Sequence, residues 1–249
     1  MKGMIFAAGI GSRLKPWTDF HPKALVEVGG KPVIGHVIDR MTAAGISHII
    51  VNVHHFADQI VRYLSSEYKD VHIDISDETE LLLDTGGGLR KALPLIGDES
   101  VLIHNADILS NIDLADMISS HNRKIPEATL LVQPRQTSRY FLFEHNRLRG
   151  WTDTRTATVR PEGLTDSGRL ERLAFGGIHI ISPGTYGALN EYAPDDTPFS
   201  ITDFYISRAK SMDFEAYRLP ADRSWFDVGK PETLRLAREK FDSSISFYF

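Results

Sequence analysis

The sequence predicts an α/β fold with a Rossmann-like, mostly parallel sheet flanked by helices. Short apolar runs typical of strands alternate with amphipathic helical segments over the first half of the chain. The first of these runs is followed at once by a glycine-rich turn. Strands separated by helices become parallel neighbours through right-handed crossovers. Such sheets bind ligands at the carboxyl ends of their strands, so we expect the functional residues at that edge.

Each element of the first half follows from its local pattern. Residues 2–7 form a continuous apolar run, typical of a strand buried on both faces. Pro32 suits the first turn of a helix, where its missing N–H costs nothing, and Gly45 is expected to close that helix. The same reasoning predicts strands over 49–53, 71–75, 101–103 and 129–132, and helices over 57–68, 88–95 and 114–121.

The second half is less regular. The apolar residues of 141–151 flank a polar turn and predict a hairpin. Residues 152–172 are polar and rich in Arg, Thr and Gly, which predicts a long loop or flap. The remaining patterns predict strands over 175–181, 214–219 and 225–228, and helices over 204–210 and 232–241. We find no repeat or linker and therefore predict a single domain over residues 1–249.

Composition excludes several classes of protein. Of the 249 residues, 42% are hydrophobic and 24% are charged, which is globular rather than disordered composition. The net charge of -5 argues against broad binding to nucleic acid or to an anionic membrane. The absence of Cys excludes disulfides, thiolate zinc sites and cysteine nucleophiles. No apolar run approaches the ~18 residues of a membrane span, so we expect a cytoplasmic protein with neither nucleic-acid nor membrane partners.

The strongest local pattern, Ala-Ala-Gly-Ile-Gly-Ser-Arg-Leu, follows the first strand directly. Gly9 and Gly11 permit positive φ and close backbone approach, so consecutive N–H groups can hold an anion. Arg13 adds a planar cation. The dinucleotide motif fails because Leu14 stands where its third glycine belongs, and no Gly-Lys-Ser/Thr follows as a P-loop requires. Taken alone, the pattern fits a tight strand-to-helix turn equally well.

The wider context gives the turn a more specific meaning. Residues 6–18 and 22–32 together closely resemble the signature of the sugar-1-phosphate nucleotidyltransferases. The resemblance implies a glycosyltransferase-A-like fold and the reaction of an NTP with a sugar 1-phosphate to give an NDP-sugar and pyrophosphate. It implies a nucleotide-binding half over 1–135 and a sugar-binding half over 136–249. It assigns catalytic roles to Arg13 and Lys23 and substrate contacts to Ala7, Ala8, Gly9, Gly11 and Ser12.

This chain departs from the signature at three positions. Ser12 replaces the usual Thr, Trp17 the usual Leu, and Ala24 the usual second Pro. The first change keeps a hydroxyl, and we expect the other two to affect loop shape more than catalysis.

Two aspartates are candidate metal ligands. Asp107 lies just past the strand over 101–103, and Asp227 lies in the segment 225–229. Either aspartate could equally terminate a turn or cap a helix. Both segments are similar to metal-binding motifs of the family, although Ala106 replaces the usual Gly. The resemblance therefore implies that Asp107 and Asp227 bind Mg²⁺, which takes one or two carboxylates plus substrate phosphates in such sites.

Further glycines are expected beside the base and the sugar. Gly86 and Gly87 fall in a predicted loop where relatives contact the nucleobase, and a flat base could lie against such backbone. Gly177, in a segment similar to one beside the sugar in relatives, and Asn105 are also expected to contact substrate. The Glu-Lys-Pro segment of many relatives is absent. The flap arginines are the predicted replacements for its lysine: Arg155, Arg160, Arg169 and Arg172.

Within the family, the chain most resembles the short N-acetylmuramate-1-phosphate uridylyltransferases. That likeness implies UTP and N-acetylmuramate 1-phosphate as substrates. Two alternatives remain open at this point. One is an enzyme of the same class acting on another phosphorylated alcohol, such as a mannose- or heptose-1-phosphate guanylyltransferase or a phosphocholine cytidylyltransferase. The other is a non-catalytic nucleotide-sugar sensor. The oligomeric state is not predicted.

Overall fold

A computed structural model of the chain describes residues 1–164 and 168–243. Its main feature is one ten-stranded sheet, whose strands come from both halves of the sequence. The strands are, in chain order, β1 (Lys2–Phe6), β2 (Glu27–Val28), β3 (Lys31–Pro32), β4 (His48–Val53), β5 (His72–Asp77), β6 (Val101–Asn105), β7 (Ile108–Ser110), β8 (Ala128–Gln133), β9 (Arg139–Glu144), β10 (Arg147–Asp153), β11 (Thr158–Arg160), β12 (Glu171–Ile181), β13 (Phe214–Arg218) and β14 (Trp225–Asp227).

Within the described residues, α-helices lie in five of the connections between consecutive strands, and one more follows β14. They are α1 (Val33–Ala43), α2 (Ala57–Glu67), α3 (Asp84–Ile96), α4 (Leu114–Lys124), α5 (Tyr186–Asn190), α6 (Ile201–Arg208) and α7 (Pro231–Ser243). The alternation predicted for the first half is confirmed. Gly45 lies just beyond α1 with a φ of 87°, as expected of a residue that closes a helix. Pro32 is the residue before the helix rather than part of its first turn.

The sheet is mixed rather than mostly parallel. Its order is β11-β10-β13-β8-β12-β6-β1-β4-β5, with β9 paired to β10 and β12. Strands β6, β1, β4 and β5 are parallel neighbours, whereas β12 runs antiparallel to both β6 and β8. The predicted α/β class is confirmed, but hydrophobic periodicity does not report strand direction, so the antiparallel insertion of β12 was missed.

Helices cover both faces of the sheet. Met4 and Phe6 of β1 pack into one apolar cluster, and Ile5 packs into another on the opposite face. The first cluster takes buried residues from α3, α5 and α6, and the second takes them from α1 and α2. The continuous apolar run of β1 therefore reflects burial on both sides, as predicted.

The predicted flap over 152–172 is largely folded. Thr152 pairs with Val159 in a hairpin between β10 and β11, and β12 begins at Glu171. The predicted loop is therefore wrong at both ends, because polar strands at a sheet edge lack the apolar alternation by which strands are recognised. Residues 165–167, which also belong to the predicted flap, lie outside the described residues.

None of the helices in the described ranges combines the length and apolar character needed to cross a bilayer.

Candidate active site

The glycine-rich turn leaves β1 at the carboxyl edge of the sheet. Ala7 is anchored by its N–H, which donates to Asn52 Oδ1 on the neighbouring β4 at 2.7 Å. Gly11 then adopts a φ of 71° before a short 3-10 turn over Ser12–Leu14. Its carbonyl accepts a hydrogen bond from Thr18 Oγ1 at 2.9 Å. These contacts fix the backbone of residues 7–14 as a loop at the carboxyl end of β1.

Close contact with Lys23 explains the glycines of this turn. A Cβ at Gly11 would lie 2.9 Å from Lys23 Cβ, and one at Gly9 would lie 3.4 Å from Lys23 Nζ. A side chain at position 11 would therefore clash with Lys23 and would also be strained by the positive φ. Without these side chains, the ammonium of Lys23 can lie directly beneath the loop.

Four charged residues meet under the loop. Lys23 Nζ lies 2.8 Å from Asp107 Oδ2, which is also 4.0 Å from Arg13. Arg13 donates to Asp227 Oδ2 at 3.4 Å. Asp107 and Lys23 are largely buried, whereas the Arg13 side chain is half exposed. The structure thus brings together the four residues predicted to be catalytic, although they come from three distant parts of the sequence.

A small second sheet places Asp227 beside Asp107. Strand β14 pairs antiparallel with β7, and the Val228 N–H donates to the carbonyl of Asp107 at 2.8 Å. A Cβ at Gly229 would lie 2.8 Å from Asp107 Oδ2 and 2.9 Å from Asp227 Oδ1. Both carboxylates, with Arg13 Nη2 at 2.9 Å from the same point, therefore lie against Gly229, and a side chain at this position would clash with them. Two adjacent carboxylates with nearby room for phosphate oxygens form a donor set that fits Mg²⁺.

A cavity of about 400 Å³ adjoins these charges. Five predicted site residues line it: Ala8, Gly9, Lys23, Asn105 and Asp107. Gly177 lies behind Asn105, since a Cβ at Gly177, where φ is 71°, would lie 2.8 Å from Asn105 Nδ2. Gly177 thus leaves room for the Asn105 amide, which borders the cavity.

The structure corrects the loop predicted at Gly86 and Gly87, whereas their contact with a nucleobase stays a prediction. These residues belong to the first turn of α3 instead of a loop, and both N–H groups donate to the carbonyl of Phe199. Their backbone donors are therefore not free to read a base. A Cβ at Gly86 would lie 2.3 Å from the Phe199 ring, so packing of α3 against residues 197–199 accounts for the glycine. A run of glycines is typical of a loop, which is why a loop was predicted here. No local pattern shows that the distant Phe199 packs against these residues.

We expect Gly86→Ala to destabilise the fold by about 1–3 kcal/mol, because the added methyl group has no space against Phe199. Urea unfolding measures the change. Gly187→Ala is the matched control, because Gly187 is also helical and its Cβ would meet nothing within 4 Å. Equal stability of the two variants would show that α3 can move away from Phe199 at little cost.

Sequence reasoning also missed a buried polar pair in this cavity. Asn52 donates to Glu78 Oε1 at 2.7 Å, and the Leu83 N–H donates to Glu78 Oε2 at 3.0 Å. Burial raises the pKa of Glu78, although these two hydrogen bonds oppose the shift. The one available sign was a polar Asn52 inside an otherwise apolar strand.

A second cavity of about 550 Å³ shares Asp84 with the first as a lining residue. Arg135, Arg139 and Arg160 contribute to its wall. Of the predicted flap arginines, Arg160 lines this cavity and pairs with Asp203 at 2.6 Å. Arg155 instead pairs with Asp153, and Arg169 and Arg172 do not border the cavity.

Arg135 was not anticipated from sequence. Its guanidinium lies over the Trp225 ring, 4.7 Å from the ring centroid, and donates to the Phe175 carbonyl at 3.4 Å. Its Nε is buried without a hydrogen-bond partner. Burial lowers the pKa of Arg135, although the guanidinium remains charged at neutral pH. Arg135 thus places a cation between the aspartates and the second cavity.

Comparison with known proteins agrees with this geometry. The family model for nucleotidyl transferases matches residues 2–157. The N-acetylmuramate alpha-1-phosphate uridylyltransferase of Caulobacter vibrioides is 32% identical over 243 residues, which cover 95% of this chain and 94% of the relative. The D-glycero-alpha-D-manno-heptose 1-phosphate guanylyltransferase of Aneurinibacillus thermoaerophilus is 24% identical, over 98% of this chain and 100% of the relative.

A solved structure shares the architecture. Apo UDP-glucose pyrophosphorylase superimposes with a TM-score of 0.79 over 97% of this chain and 98% of that chain, at 17% identity. Likeness at this level of identity shows the fold alone. The predicted nucleotidyltransferase fold is confirmed.

Proposed function

This chain belongs to the nucleotidyl transferase family and is a sugar-1-phosphate nucleotidyltransferase, and on that premise we propose that it joins UTP to N-acetylmuramate 1-phosphate with release of pyrophosphate. The observation that carries the proposal is a pair of cavities that share Asp84 in their walls. One lies beside the loop of residues 7–14 and Asp107, and the other has three arginines in its wall. UTP and the sugar are taken from the Caulobacter relative, whose length this chain nearly matches.

The proposed reaction is an in-line displacement. An oxygen of the sugar phosphate attacks the α-phosphorus of the NTP, and the bond from that phosphorus to the oxygen bridging to the β-phosphate breaks. Such chemistry depends on positioning and charge stabilisation more than on a covalent catalyst. The N–H groups of residues 9–13 hold the triphosphate, and Lys23 and Arg13 offset negative charge that develops on the α-phosphate and the departing pyrophosphate.

Asp107 and Asp227 are proposed to hold Mg²⁺ together. When bound, the ion would neutralise phosphate oxygens and fix their orientation. In its absence Lys23 and Arg13 pair with the same carboxylates, at 2.8 Å and 3.4 Å respectively. These cations hold the two adjacent carboxylates in place, so the site is preorganised for a dication and phosphate.

The second cavity suits an acceptor with two anionic groups. N-acetylmuramate 1-phosphate carries a phosphate and a lactyl carboxylate, and guanidinium groups bind both in a bidentate manner. Arg135 lies near Asp227 and is proposed to take the place of the missing Glu-Lys-Pro lysine toward the sugar phosphate. Arg139, whose side chain is mostly exposed, is proposed to meet the carboxylate.

Arg135→Ala should lower kcat/KM for the sugar 1-phosphate by about 100-fold and change the KM for the NTP by less than about threefold. The reason is that its charge faces the acceptor cavity rather than the triphosphate loop. Steady-state kinetics with each substrate varied in turn give both values. Arg147→Ala removes an exposed arginine that pairs with Asp213 on the same half of the molecule, and should leave both values unchanged. An equal loss for both substrates would place Arg135 in a structural role.

A matrix of the four NTPs against sugar 1-phosphates, read by pyrophosphate release, tests the proposed function. We expect UTP to be preferred by at least about tenfold in kcat/KM, which is about 1.4 kcal/mol of discrimination, and N-acetylmuramate 1-phosphate to be the best acceptor. Preference for GTP with mannose or heptose 1-phosphate would overturn the substrates, and the heptose relative makes this the leading alternative. Nucleotide binding without any pyrophosphate release would indicate a sensor.

A further inference from the structure

Two histidines and an aspartate, side chains of the kinds that ligate metals, meet near the amino-terminal ends of strands β4 and β5. These strands are parallel, and His48 is in register with His72. Asp74 follows His72 by two residues, so both side chains lie on the same face of β5. Residues paired across neighbouring strands also share a face, which places His48 with the other two. Residues separated by 26 positions in the sequence thereby form one cluster.

The contacts within the cluster are close. His48 Nε2 lies 2.7 Å from Asp74 Oδ2, and His72 Nε2 lies 3.6 Å from Asp74 Oδ1. The two imidazole rings stack with centroids 3.8 Å apart and an angle of 11°. One nitrogen from each ring and a carboxylate oxygen of Asp74 all lie within 4.8 Å of one another. Both rings therefore present Nε2 to the same carboxylate.

We propose that His48, His72 and Asp74 form a Zn²⁺ site. Two imidazole nitrogens and one carboxylate oxygen are a common zinc ligand set, and a water molecule completes the tetrahedron. Tetrahedral Zn–N and Zn–O bonds of about 2.0–2.2 Å place the ligand atoms about 3.3–3.6 Å apart. His48 and Asp74, now at 2.7 Å, must therefore separate slightly, and the His72 ring must turn out of its stack with His48 to direct Nε2 at the same ion. The His72 side chain is 63% exposed and can turn without disturbing the core, whereas His48, at 19%, is held by its surroundings.

The position of the cluster gives the ion a structural role. His48 and His72 are the first residues of their strands, whereas the candidate active site lies at the carboxyl ends of β1 and β6. The proposed zinc site therefore lies where the parallel strands begin, whereas Asp107 lies near their carboxyl ends. Among the described residues, β5 is the outermost strand on this side of the sheet and pairs with β4. A shared ion would tie this outer strand to its neighbour and stabilise it.

Titration of the purified protein with ZnCl₂ tests the site, with excess Mg²⁺ present to compete at Asp107 and Asp227. Calorimetry should show one equivalent of Zn²⁺ bound with micromolar or tighter affinity, and about a hundredfold excess over Kd should raise Tm by about 5 °C. The chain has no Cys, so no thiolate competes for the ion. Co²⁺ should give the visible absorption bands of a tetrahedral complex.

His72→Ala and Asp74→Asn should each weaken Zn²⁺ binding by at least about tenfold and abolish the rise in Tm. Both residues are partly exposed, so the variants should fold, and circular dichroism checks this. His55→Ala, which removes a histidine outside the cluster, should bind Zn²⁺ like the unmodified chain. The proposal is overturned if no equivalent of Zn²⁺ binds below about 100 µM, or if both cluster variants keep the original affinity.

Discussion

Asp107→Asn is expected to lower kcat/KM for pyrophosphate release by about 1,000-fold and to leave the fold intact. The carboxylate lies 2.8 Å from Lys23 and next to Asp227, at the point where both candidate Mg²⁺ ligands meet. The amide keeps the shape but loses the charge that attracts the ion and orients Lys23. A 1,000-fold loss corresponds to about 4 kcal/mol of transition-state stabilisation, within the range found when one electrostatic group is removed.

Titration with Mg²⁺ separates the metal role from other roles. Asp107→Asn and Asp227→Asn should each raise the Mg²⁺ concentration for half-maximal rate, and the double variant should lose less than the sum of the two effects if both hold one ion. Asp222→Asn is the matched control, since Asp222 is an exposed aspartate in the connection before β14. Unchanged half-saturation in both single variants would mean that the ion binds elsewhere.

Lys23→Ala should reduce kcat/KM by about 100- to 1,000-fold. Its ammonium lies near Gly9 and beside Asp107, in the wall of the cavity proposed to hold the nucleotide. Removal of this donor takes a positive charge away from the reacting phosphates and leaves Asp107 without its nearest partner. Steady-state pyrophosphate release with saturating Mg²⁺ measures the loss.

Lys15→Ala provides the comparison for Lys23. Lys15 lies in the same connection between β1 and β2 as Lys23. Its exposed side chain pairs with Asp19 and not with the candidate metal ligands. We expect this variant to keep nearly full activity. If Lys23→Ala folds normally and retains more than about a tenth of the original kcat/KM, the assigned charge role is wrong, because that loss is only ~1.4 kcal/mol.

Much of the candidate site could be predicted from the sequence because its residues lie in short, contiguous motifs. Arg13 and Lys23 follow one strand within a single signature, and Asp107 and Asp227 each end a recognisable strand. The parallel arrangement of β1, β4 and β6 also followed from alternation alone. Each of these inferences rests on local chemistry or on a rule of chain connection, both of which a single sequence can display.

Other features depended on partners that no local pattern shows. Gly86 is glycine because Phe199 packs against it, 113 residues later in the chain. Arg135 lines the second cavity, where Trp225 of β14 lies beneath its guanidinium. The flap predicted over 152–172 proved to contain β11, whose hydrogen bonds to β10 compensate for its lack of apolar alternation.

The α/β class and the glycine-rich turn followed by Arg13 could be read from the sequence alone, because composition and spacing are properties of neighbouring residues. The folded chain was needed to show that Asp107 and Asp227 lie together at Gly229, that β12 runs antiparallel through the sheet, and that His48 meets His72 and Asp74. The physical reason is that packing and strand pairing join residues far apart in the chain, and their register is set by the whole hydrophobic core rather than by any one segment.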